Sequence, residues 1–257
     1  MLEIRKLSAG YPGNPVLKDV TLSIPEGKVT VVAGPNGCGK STLLKALAGI
    51  LSRQGEIYLQ NQPLHGLPQR ELARHLAFLP QNRPVPEITA QRLVLHGRFP
   101  YLSYPRHYRP EDHRIAREAM EQLGIGDLAE RSVSSLSGGQ RQKVYLAMAL
   151  AQDTQVLLLD EPTTYLDIRH QLQLMQLSRL LADSGKTLIL VLHDLSLAME
   201  YADHLVILEN GTVAAQGSPG EVFASGVLPH VFGVEVRRTK TEDGWKYYCK
   251  DNFSSDM

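Results

Sequence analysis

The stretch that decides the fold of this 257-residue chain is Gly34-Pro35-Asn36-Gly37-Cys38-Gly39-Lys40-Ser41. It matches the pattern G-x-x-x-x-G-K-[ST], which is typical of loops that bind phosphate groups. The β-branched run at 28–33 predicts a buried strand before the loop, and residues 41–48 predict a helix after it. Because a purely structural glycine turn does not require this strand–loop–helix order, we interpret the stretch as a phosphate site.

The chemistry of this loop explains its residue types. Glycines let the backbone turn tightly and point successive N–H groups inward, and the positive end of the next helix faces the same place. Lys40 supplies a full charge for the β- and γ-phosphates of a nucleotide, and the Ser41 hydroxyl is a ligand for Mg²⁺. The sequence therefore predicts a nucleoside triphosphate site.

The composition argues against several classes of protein. Basic and acidic residues both number 27, which disfavours a globally basic nucleic-acid binder but leaves a local basic patch open. No apolar run approaches the roughly 18 residues that cross a bilayer, and the first residues lack the apolar core of a signal peptide. The two cysteines, Cys38 and Cys249, give no disulfide framework. We expect a reduced, cytosolic protein.

Polar residues stand just past three further predicted buried strands: Gln81, the pair Asp160 and Glu161, and His193. Such strand ends are where α/β proteins place ligand contacts. Two carboxylates at the end of an apolar strand need partners, and a Mg²⁺ ion or its waters supply one. We predict that Asp160 holds Mg²⁺ through water and that Glu161 polarises the attacking water. Surface acids and a structural histidine are the alternatives, and recurrence of the pattern disfavours them.

A second small-residue turn, Leu136-Ser137-Gly138-Gly139-Gln140-Arg141-Gln142, precedes a predicted helix at 140–151. Its backbone N–H groups and the Ser137 hydroxyl form a second anion receptor. For Ser137 alone, a simple helix cap is an equally good interpretation. Tyr11 also has two interpretations, as a surface tyrosine in a turn or as a flat ring that stacks on a nucleobase.

The chain divides into four predicted segments. They are a first part of the nucleotide-binding core at 1–81, a helical subdomain at 82–135, a second part of the core at 136–220 and a C-terminal extension at 221–257. The extension carries an expected hairpin turn at Asp243-Gly244 and a polar end, 251–257, that we expect to fray.

The first part of the helical subdomain, 82–110, is rich in proline, aromatic residues and arginine, and we expect an exposed, loop-rich region. This mixture also suits nucleic acid. A protein-docking surface is favoured because such surfaces are enriched in tyrosine and arginine.

Together these motifs resemble the nucleotide-binding subunits of ABC transporters over roughly the first 220 residues. The resemblance is carried by Tyr11, the 34–41 loop, Gln81, the Leu-Ser-Gly-Gly-Gln run at 136–140, Asp160-Glu161, Leu166-Asp167 and His193. Finer features resemble the ATPases of bacterial importers for iron-siderophores, haem or vitamin B12. These are residues 34–42, Gly97-Arg98-Phe99-Pro100-Tyr101 and the 161–167 run with Tyr165.

The resemblance implies an α/β fold: a P-loop NTPase (RecA-like) core with an N-terminal antiparallel β subdomain and an inserted helical subdomain. It also implies ATP and Mg²⁺ as ligands, and a head-to-tail homodimer that closes over two ATP molecules. The residues expected to bind nucleotide are Tyr11, Gly34, Pro35, Asn36, Gly37, Cys38, Gly39, Lys40, Ser41, Thr42, Ser137, Gly138, Gly139, Gln140 and Asp167. The expected metal ligands are Ser41, Gln81 and Asp160. The expected catalytic residues are Glu161, His193, Gln81 and Lys40.

The resemblance further implies an import ATPase for a metal chelate, peripheral to the cytoplasmic face of the bacterial inner membrane. Its partners would be integral membrane permease subunits that dock on 82–108 and, indirectly, a periplasmic or lipid-anchored substrate-binding protein; no nucleic acid is expected. The alternative is a soluble ABC ATPase that acts on DNA or ribosomes, although the coiled-coil insertions or tandem cassettes usual there are not evident. A P-loop kinase or GTPase has no use for the 136–140 motif. A non-hydrolysing module does not need Glu161 and His193.

Overall fold

The computed structural model describes residues 1–164, 166–242 and 244–250. Tyr165, Asp243 and the end at 251–257, on which expectations were placed above, lie outside the described residues. The strands are β1 (Leu2–Tyr11), β2 (Asn14–Ile24), β3 (Val29–Ala33), β4 (Arg53–Leu59), β5 (Gln62–Pro63), β6 (Leu76–Leu79), β7 (Val156–Asp160), β8 (Thr187–Val191), β9 (His204–Glu209), β10 (Thr212–Gly217), β11 (Glu235–Thr241) and β12 (Gly244–Lys250). The helices are α1 (Lys40–Leu47), α2 (Gln69–Leu72), α3 (Ala90–Leu95), α4 (Pro110–Gln122), α5 (Gly138–Ala151), α6 (Ile168–Asp183), α7 (Leu195–Tyr201), α8 (Pro219–Ala224) and α9 (Val227–Phe232).

A six-stranded sheet in the order β10-β9-β3-β8-β7-β6 forms the centre of the molecule. All of its neighbouring strands pair in parallel except β10, which runs antiparallel to β9. The parallel strands are short apolar runs because both faces of such a sheet are covered. The predicted α/β fold is confirmed.

The two faces of this sheet belong to two separate cores. Alternate residues of a strand point to opposite faces. In β7, Leu157 and Leu159 therefore pack with α5, α6 and the helical region, whereas Val156 and Leu158 pack with α1 and the N-terminal sheet. The loop at 34–41 connects β3 to α1, and its Cys38 side chain is buried in the core that α1 shares with the N-terminal sheet.

The N-terminal strands form a second, antiparallel sheet in the order β2-β1-β4-β5. Its inward residues, among them Leu2, Ile4 and Leu7, are buried against α1 and the central sheet. The expected N-terminal antiparallel β subdomain is thus confirmed, and it brings Tyr11 near the 34–41 loop.

The expectation of an exposed, loop-rich region at 82–110 is wrong in part. Residues 90–95 form α3, which Thr89 caps by accepting the N–H of Arg92, and its Leu93, Val94 and Leu95 are buried. Arg98, on the following 3₁₀ turn, is also buried, where it pairs with Asp112 at 3.0 Å. Proline and aromatic content indicated loops because the pattern of α3 is too short to show a helical period.

Other side chains of the same region remain exposed. Tyr104 is 95% exposed, Phe99 is 48% exposed and Val85 is 42% exposed. The docking surface predicted at 82–108 therefore keeps exposed apolar side chains beside a buried helix. The four predicted segment boundaries stay predictions.

The C-terminal part packs against the core. The hairpin of β11 and β12 pairs antiparallel, and the Tyr247 ring lies 5.6 Å from the Phe223 ring of α8, centroid to centroid. The earlier hairpin between β9 and β10 turns at Asn210 and Gly211, both at positive φ, as a tight type I′ turn requires. Within the described residues, no helix combines the length and apolar character that crossing a membrane requires.

Candidate active site

The polar residues predicted from strand ends meet at one edge of the central sheet. The carboxyl ends of β3, β6, β7 and β8 point the same way because these strands are parallel. Residues as far apart in sequence as Asn36 and His193 thereby reach one site.

The 34–41 loop is shaped by glycine and by its own lysine. A Cβ on Gly34, whose φ is 153°, would overlap the carbonyl oxygen of Leu208 and lie 2.7 Å from the Cys38 sulfur. The buried ammonium of Lys40 donates to the carbonyl oxygens of Gly34 and Pro35 at 2.8 and 2.9 Å. Lys40 is therefore held over the loop that it is predicted to serve.

Ser41 and Asp160 form the first contact between the loop and β7. The Ser41 hydroxyl donates to Oδ1 of Asp160 at 2.8 Å, and Asp160 is only 2% exposed. Burial raises the pKa of Asp160, although the Ser41 hydrogen bond opposes the shift. A buried carboxylate and a hydroxyl are the hard oxygen donors that suit Mg²⁺. In the described part of the chain, no group of three or more His, Cys, Asp or Glu side chains is placed to hold a metal, so any ion must draw on other donors.

Glu161 lies at the centre of a second cluster. Its carboxylate accepts hydrogen bonds from the Gln81 amide and, at 3.2 Å, from the Thr164 hydroxyl. His193 Nε2 lies 2.5 Å from the other carboxylate oxygen. Glu161 is 9% exposed and has a φ of 49°, which is uncommon for a residue with a side chain. The structure thus brings Gln81, Glu161 and His193 together, whereas Gln81 contacts Glu161 and not the predicted metal ligand Asp160.

A cavity of about 280 Å³ opens between these clusters and the N-terminal sheet. It is lined by Tyr11, Asn14, Val16, Asn36, Gly37, Gly39, Lys40, Ser41, Thr42, Glu161 and His193. Tyr11 is 44% exposed, and Lys45 Nζ donates to its hydroxyl at 3.4 Å. An aromatic ring, the phosphate loop and the paired Glu161 and His193 therefore share one space.

The remaining loop residues predicted to bind nucleotide do not all face this cavity. The Cys38 side chain is buried behind the loop, and burial raises the pKa of its thiol. Its N–H donates to the Pro35 carbonyl oxygen at 3.3 Å. Cys38 therefore shapes the loop from within.

Ser137 is a helix cap and keeps a free donor. Its Oγ accepts the N–H of Gln140 at 3.3 Å, and the Gln140 side chain accepts the N–H of Ser137 at 3.1 Å. The cap uses a lone pair of the hydroxyl and leaves its O–H proton for another acceptor. Ser137 can therefore cap its helix and still donate a hydrogen bond to an anion.

The second anion receptor does not line the cavity at the loop. Among the described residues, Gly138 lines a cavity with Gln81 and Glu161, and Gly139 lines another beside His170. Asp167 caps α6 by accepting the N–H of His170 at 2.9 Å, and its Oδ1 lies 2.7 Å from the His170 ring; the same hydrogen bonds lower the Asp167 pKa. Residues 137–140 and Asp167 therefore lie apart from their own chain's phosphate loop.

Sequence reasoning missed several residues of the site. Thr164 reaches Glu161, Lys45 reaches Tyr11, and Asn14 and Val16 line the cavity. The position of Lys45 one turn after Ser41 was a usable signal, because a helix places it near the loop. No sequence signal pointed to Asn14 and Val16, because only the pairing of β1 with β2 places them at the cavity.

Comparison with known proteins shows the family to which this chain belongs. Residues 17–164, more than half of the chain, match the family described as ABC transporter. The iron(3+)-hydroxamate import ATP-binding protein FhuC of Bacillus subtilis (strain 168) is 43% identical over 238 residues, which cover 91% of this chain and 88% of that protein.

Two solved structures share the fold. One is an ABC transporter assigned to the metal-chelate type and in an inward-facing conformation; its TM-score is 0.83 at 26% identity, with 98% of both chains covered. The other is a dimeric bacterial ABC transporter cassette, with a TM-score of 0.73 at 29% identity over 85% of this chain and 99% of that one. The chain therefore belongs to the ABC transporter family and is one of its ATP-binding cassettes, the subunits that hydrolyse ATP.

Proposed function

We propose that this chain drives the import of a metal chelate by hydrolysing ATP as a head-to-tail dimer bound to a membrane permease. The observation that carries the proposal is the shared cavity, where the 34–41 loop, Tyr11, Glu161 and His193 meet. The similarity to the iron(3+)-hydroxamate import protein of Bacillus subtilis supports import as the direction of transport. The similarity to the metal-chelate type transporter supports the class of cargo.

ATP binds in this cavity through separate groups for its separate parts. Tyr11 stacks on the adenine, and residues 34–42 surround the phosphates with backbone N–H groups. Lys40 already donates to two carbonyl oxygens, so phosphate oxygens replace weaker acceptors of the same ammonium. Binding therefore redirects the contacts of an ammonium that is already buried.

Mg²⁺ fits the Ser41 and Asp160 oxygens, with Gln81 as a third predicted ligand. When bound, the ion neutralises charge that develops on the β- and γ-phosphates. The chain supplies two of the oxygen donors close together: the Ser41 hydroxyl donates to Asp160 Oδ1 at 2.8 Å, and the Asp160 carboxylate is buried.

Glu161 is the proposed base that orients and deprotonates the attacking water. Its carboxylate contacts Gln81, Thr164 and His193. His193 faces the same cavity as the loop, so a γ-phosphate competes with Glu161 for its Nε2. A bound γ-phosphate that takes over His193 frees one oxygen of Glu161 to accept the proton of the attacking water.

The head-to-tail dimer explains why one chain has two anion receptors that face different cavities. Ser137, Gly138 and Gly139 of one copy close over the γ-phosphate held by the other copy's loop, with Gln140 fixing the cap. Asp167 lies across the same contact. The dimeric cassette structure supports an assembly of this kind.

The membrane partner docks on 82–108, where Phe99 and Tyr104 are exposed, and Gln81 immediately precedes this region in the chain. Gln81 contacts Glu161, so a shift of this surface reaches the proposed base directly. A permease in the bacterial inner membrane places the chain at its cytoplasmic face, with a substrate-binding protein as an indirect partner. The cargo class is a ferric siderophore, with haem and cobalamin as the neighbouring possibilities. The alternative, an ATPase acting on nucleic acid or ribosomes, gains no support from the import relative.

A cross-link tests the assembly. In a Cys38→Ser, Cys249→Ser, Glu161→Gln background, Ser137→Cys and Asn36→Cys are combined and treated with a short bismaleimide. We expect covalent dimers with Mg-ATP and monomers with ADP. Absence of ATP-dependent dimers in folded protein contradicts the head-to-tail arrangement, and failure to co-purify with an integral membrane protein contradicts the transport role.

A further inference from the structure

The tip of the β9–β10 hairpin lies against the back of the phosphate loop. Gly211, at this tip, donates its N–H to the carbonyl oxygen of Cys38 at 3.1 Å. Its own carbonyl oxygen accepts the N–H of Lys18 in β2 at 2.9 Å. One glycine thus joins the hairpin, the loop and the N-terminal sheet through two backbone hydrogen bonds.

Gly211 fits in this position because it has no side chain. A Cβ would overlap the carbonyl oxygen of Val16 and lie 3.0 Å from its carbonyl carbon and 3.5 Å from the Leu17 Cα. These neighbours are backbone atoms of a paired strand, which do not swing aside as the end of a side chain does. A larger residue must therefore displace β2, the hairpin or both.

The same stretch of β2 supports the phosphate loop. A Cβ at Gly39 would lie 2.8 Å from Leu17 Cδ2 and 3.2 Å from Val16 Cγ1, so the loop packs directly on these side chains. Val16 also lines the cavity that is proposed to hold ATP. Gly211 therefore reaches the loop by two routes: directly through Cys38, and indirectly through Val16 and Leu17.

We propose that Gly211 is a positioning residue for nucleotide binding, which holds the 34–41 loop in the shape that receives phosphate. The inference rests on the proposed ATP site. Several inward N–H groups of the loop act on the phosphates together, so a small shift of the loop misaligns them together. The hairpin acts from behind and does not need to touch the nucleotide.

Gly211→Ala tests the proposal against a matched control, Gly66→Ala. The two glycines have nearly equal φ, 82° and 84°, so alanine is strained by the backbone to a similar degree at both. Nothing lies within 4 Å of a Cβ at Gly66. The control thus carries the backbone strain without the close approach.

The readout is the dissociation constant of the non-hydrolysable analogue Mg-AMPPNP, measured by calorimetry well below the Tm of each full-length variant. We expect Gly66→Ala to bind like wild type and Gly211→Ala to bind roughly tenfold more weakly, which corresponds to about 1.4 kcal/mol. A lowered Tm of Gly211→Ala with wild-type affinity means a purely structural role and overturns the proposal. Wild-type protein that does not bind the analogue contradicts the proposed ATP site instead.

If Gly211→Ala does not fold, a second pair of variants tests whether the hairpin tip supports nucleotide binding. The Thr212 hydroxyl donates to the Glu209 carbonyl oxygen at 2.9 Å and closes the same turn, so Thr212→Val loosens the tip without adding a clash. Thr241→Val removes an equivalent bond, 3.0 Å to Gly244, from the C-terminal hairpin. We expect Thr212→Val alone to weaken AMPPNP binding, by roughly threefold. Equal affinities of the two variants overturn the proposal.

Discussion

Glutamine at position 161 removes the proposed base and keeps the shape of its side chain. Glu161 is 9% exposed, accepts hydrogen bonds from Gln81 and Thr164, and lies 2.5 Å from His193 Nε2. A glutamine offers one acceptor oxygen and an NH₂ donor. At least one of the surrounding donors therefore loses its acceptor, while the 34–41 loop is untouched.

These contacts set the expected magnitudes. Loss of one hydrogen bond costs about 1 kcal/mol of unfolding free energy, and in a chain of this size about 2–4 °C of Tm. Loss of a general base lowers turnover by about 10²–10⁴-fold. Each factor of ten is about 1.4 kcal/mol of activation free energy, so the kinetic effect exceeds the effect on stability. ATP affinity is expected to stay that of wild type.

The assay compares phosphate release with Mg-ATP, ATP binding by calorimetry and the thermal melt, in wild type, Glu161→Gln and Glu121→Gln. Glu121 is exposed on α4, so its substitution controls for the loss of one carboxylate. Phosphate release by Glu161→Gln at the wild-type rate removes Glu161 as the base. Loss of ATP binding together with turnover shows that the residue shapes the nucleotide pocket and does not only serve catalysis.

Three further predictions concern the loop and the helical region. Lys40→Ala should lose nucleotide affinity, and calorimetry that shows unchanged affinity contradicts its phosphate role. Alkylation of Cys38, whose side chain is buried behind the loop, should displace the loop and block ATP binding, and prebound ATP should slow it by holding the loop in place; because burial raises the pKa of its thiol, its iodoacetamide rate at neutral pH should be low and should rise steeply in alkaline buffer. Equal labelling with and without ATP, followed by mass spectrometry, shows that bound ATP does not hold the loop over the thiol. Asp112→Asn should cost about 3–5 kcal/mol because it leaves the buried Arg98 unpaired. Burial raises the Asp112 pKa, but the Arg109 N–H and Arg98 outweigh it and the net pKa is lowered, so this stability is present above about pH 4 and is lost as pH falls through the lowered pKa. Urea melts at neutral and acid pH check this, and a variant as stable as wild type at pH 7 contradicts it.

Local patterns predicted several elements of regular structure. The helix expected at 41–48 is α1, Lys40–Leu47, and the buried strands expected before Glu161 and His193 are β7, Val156–Asp160, and β8, Thr187–Val191. Such segments are readable because a short apolar run or a capped turn depends on neighbours in sequence. Asp194, which caps α7 by accepting the Leu197 N–H, is a case of this kind.

Long-range packing decided what the patterns did not reveal. The α3 helix was missed because it is only six residues long and is stabilised by burial against α4 and α5. The prolines and exposed aromatic residues around it indicated loop. Its own residues are mostly good helix formers, so the composition of the surrounding segment, and not local propensity, concealed the helix.

The amino-acid sequence alone was enough to predict a phosphate loop between a strand and a helix, with polar residues after the buried strands. The folded chain was needed to see that Gln81 and His193 both contact Glu161, and that Gly211 lies behind Cys38. These contacts join residues that are far apart along the chain. A loop or a helix cap forms between neighbouring residues. The contacts of Glu161 form only because the parallel strands β6, β7 and β8 end at the same edge of the sheet, and the contact of Gly211 forms only because the β9–β10 hairpin packs against β2 and the 34–41 loop.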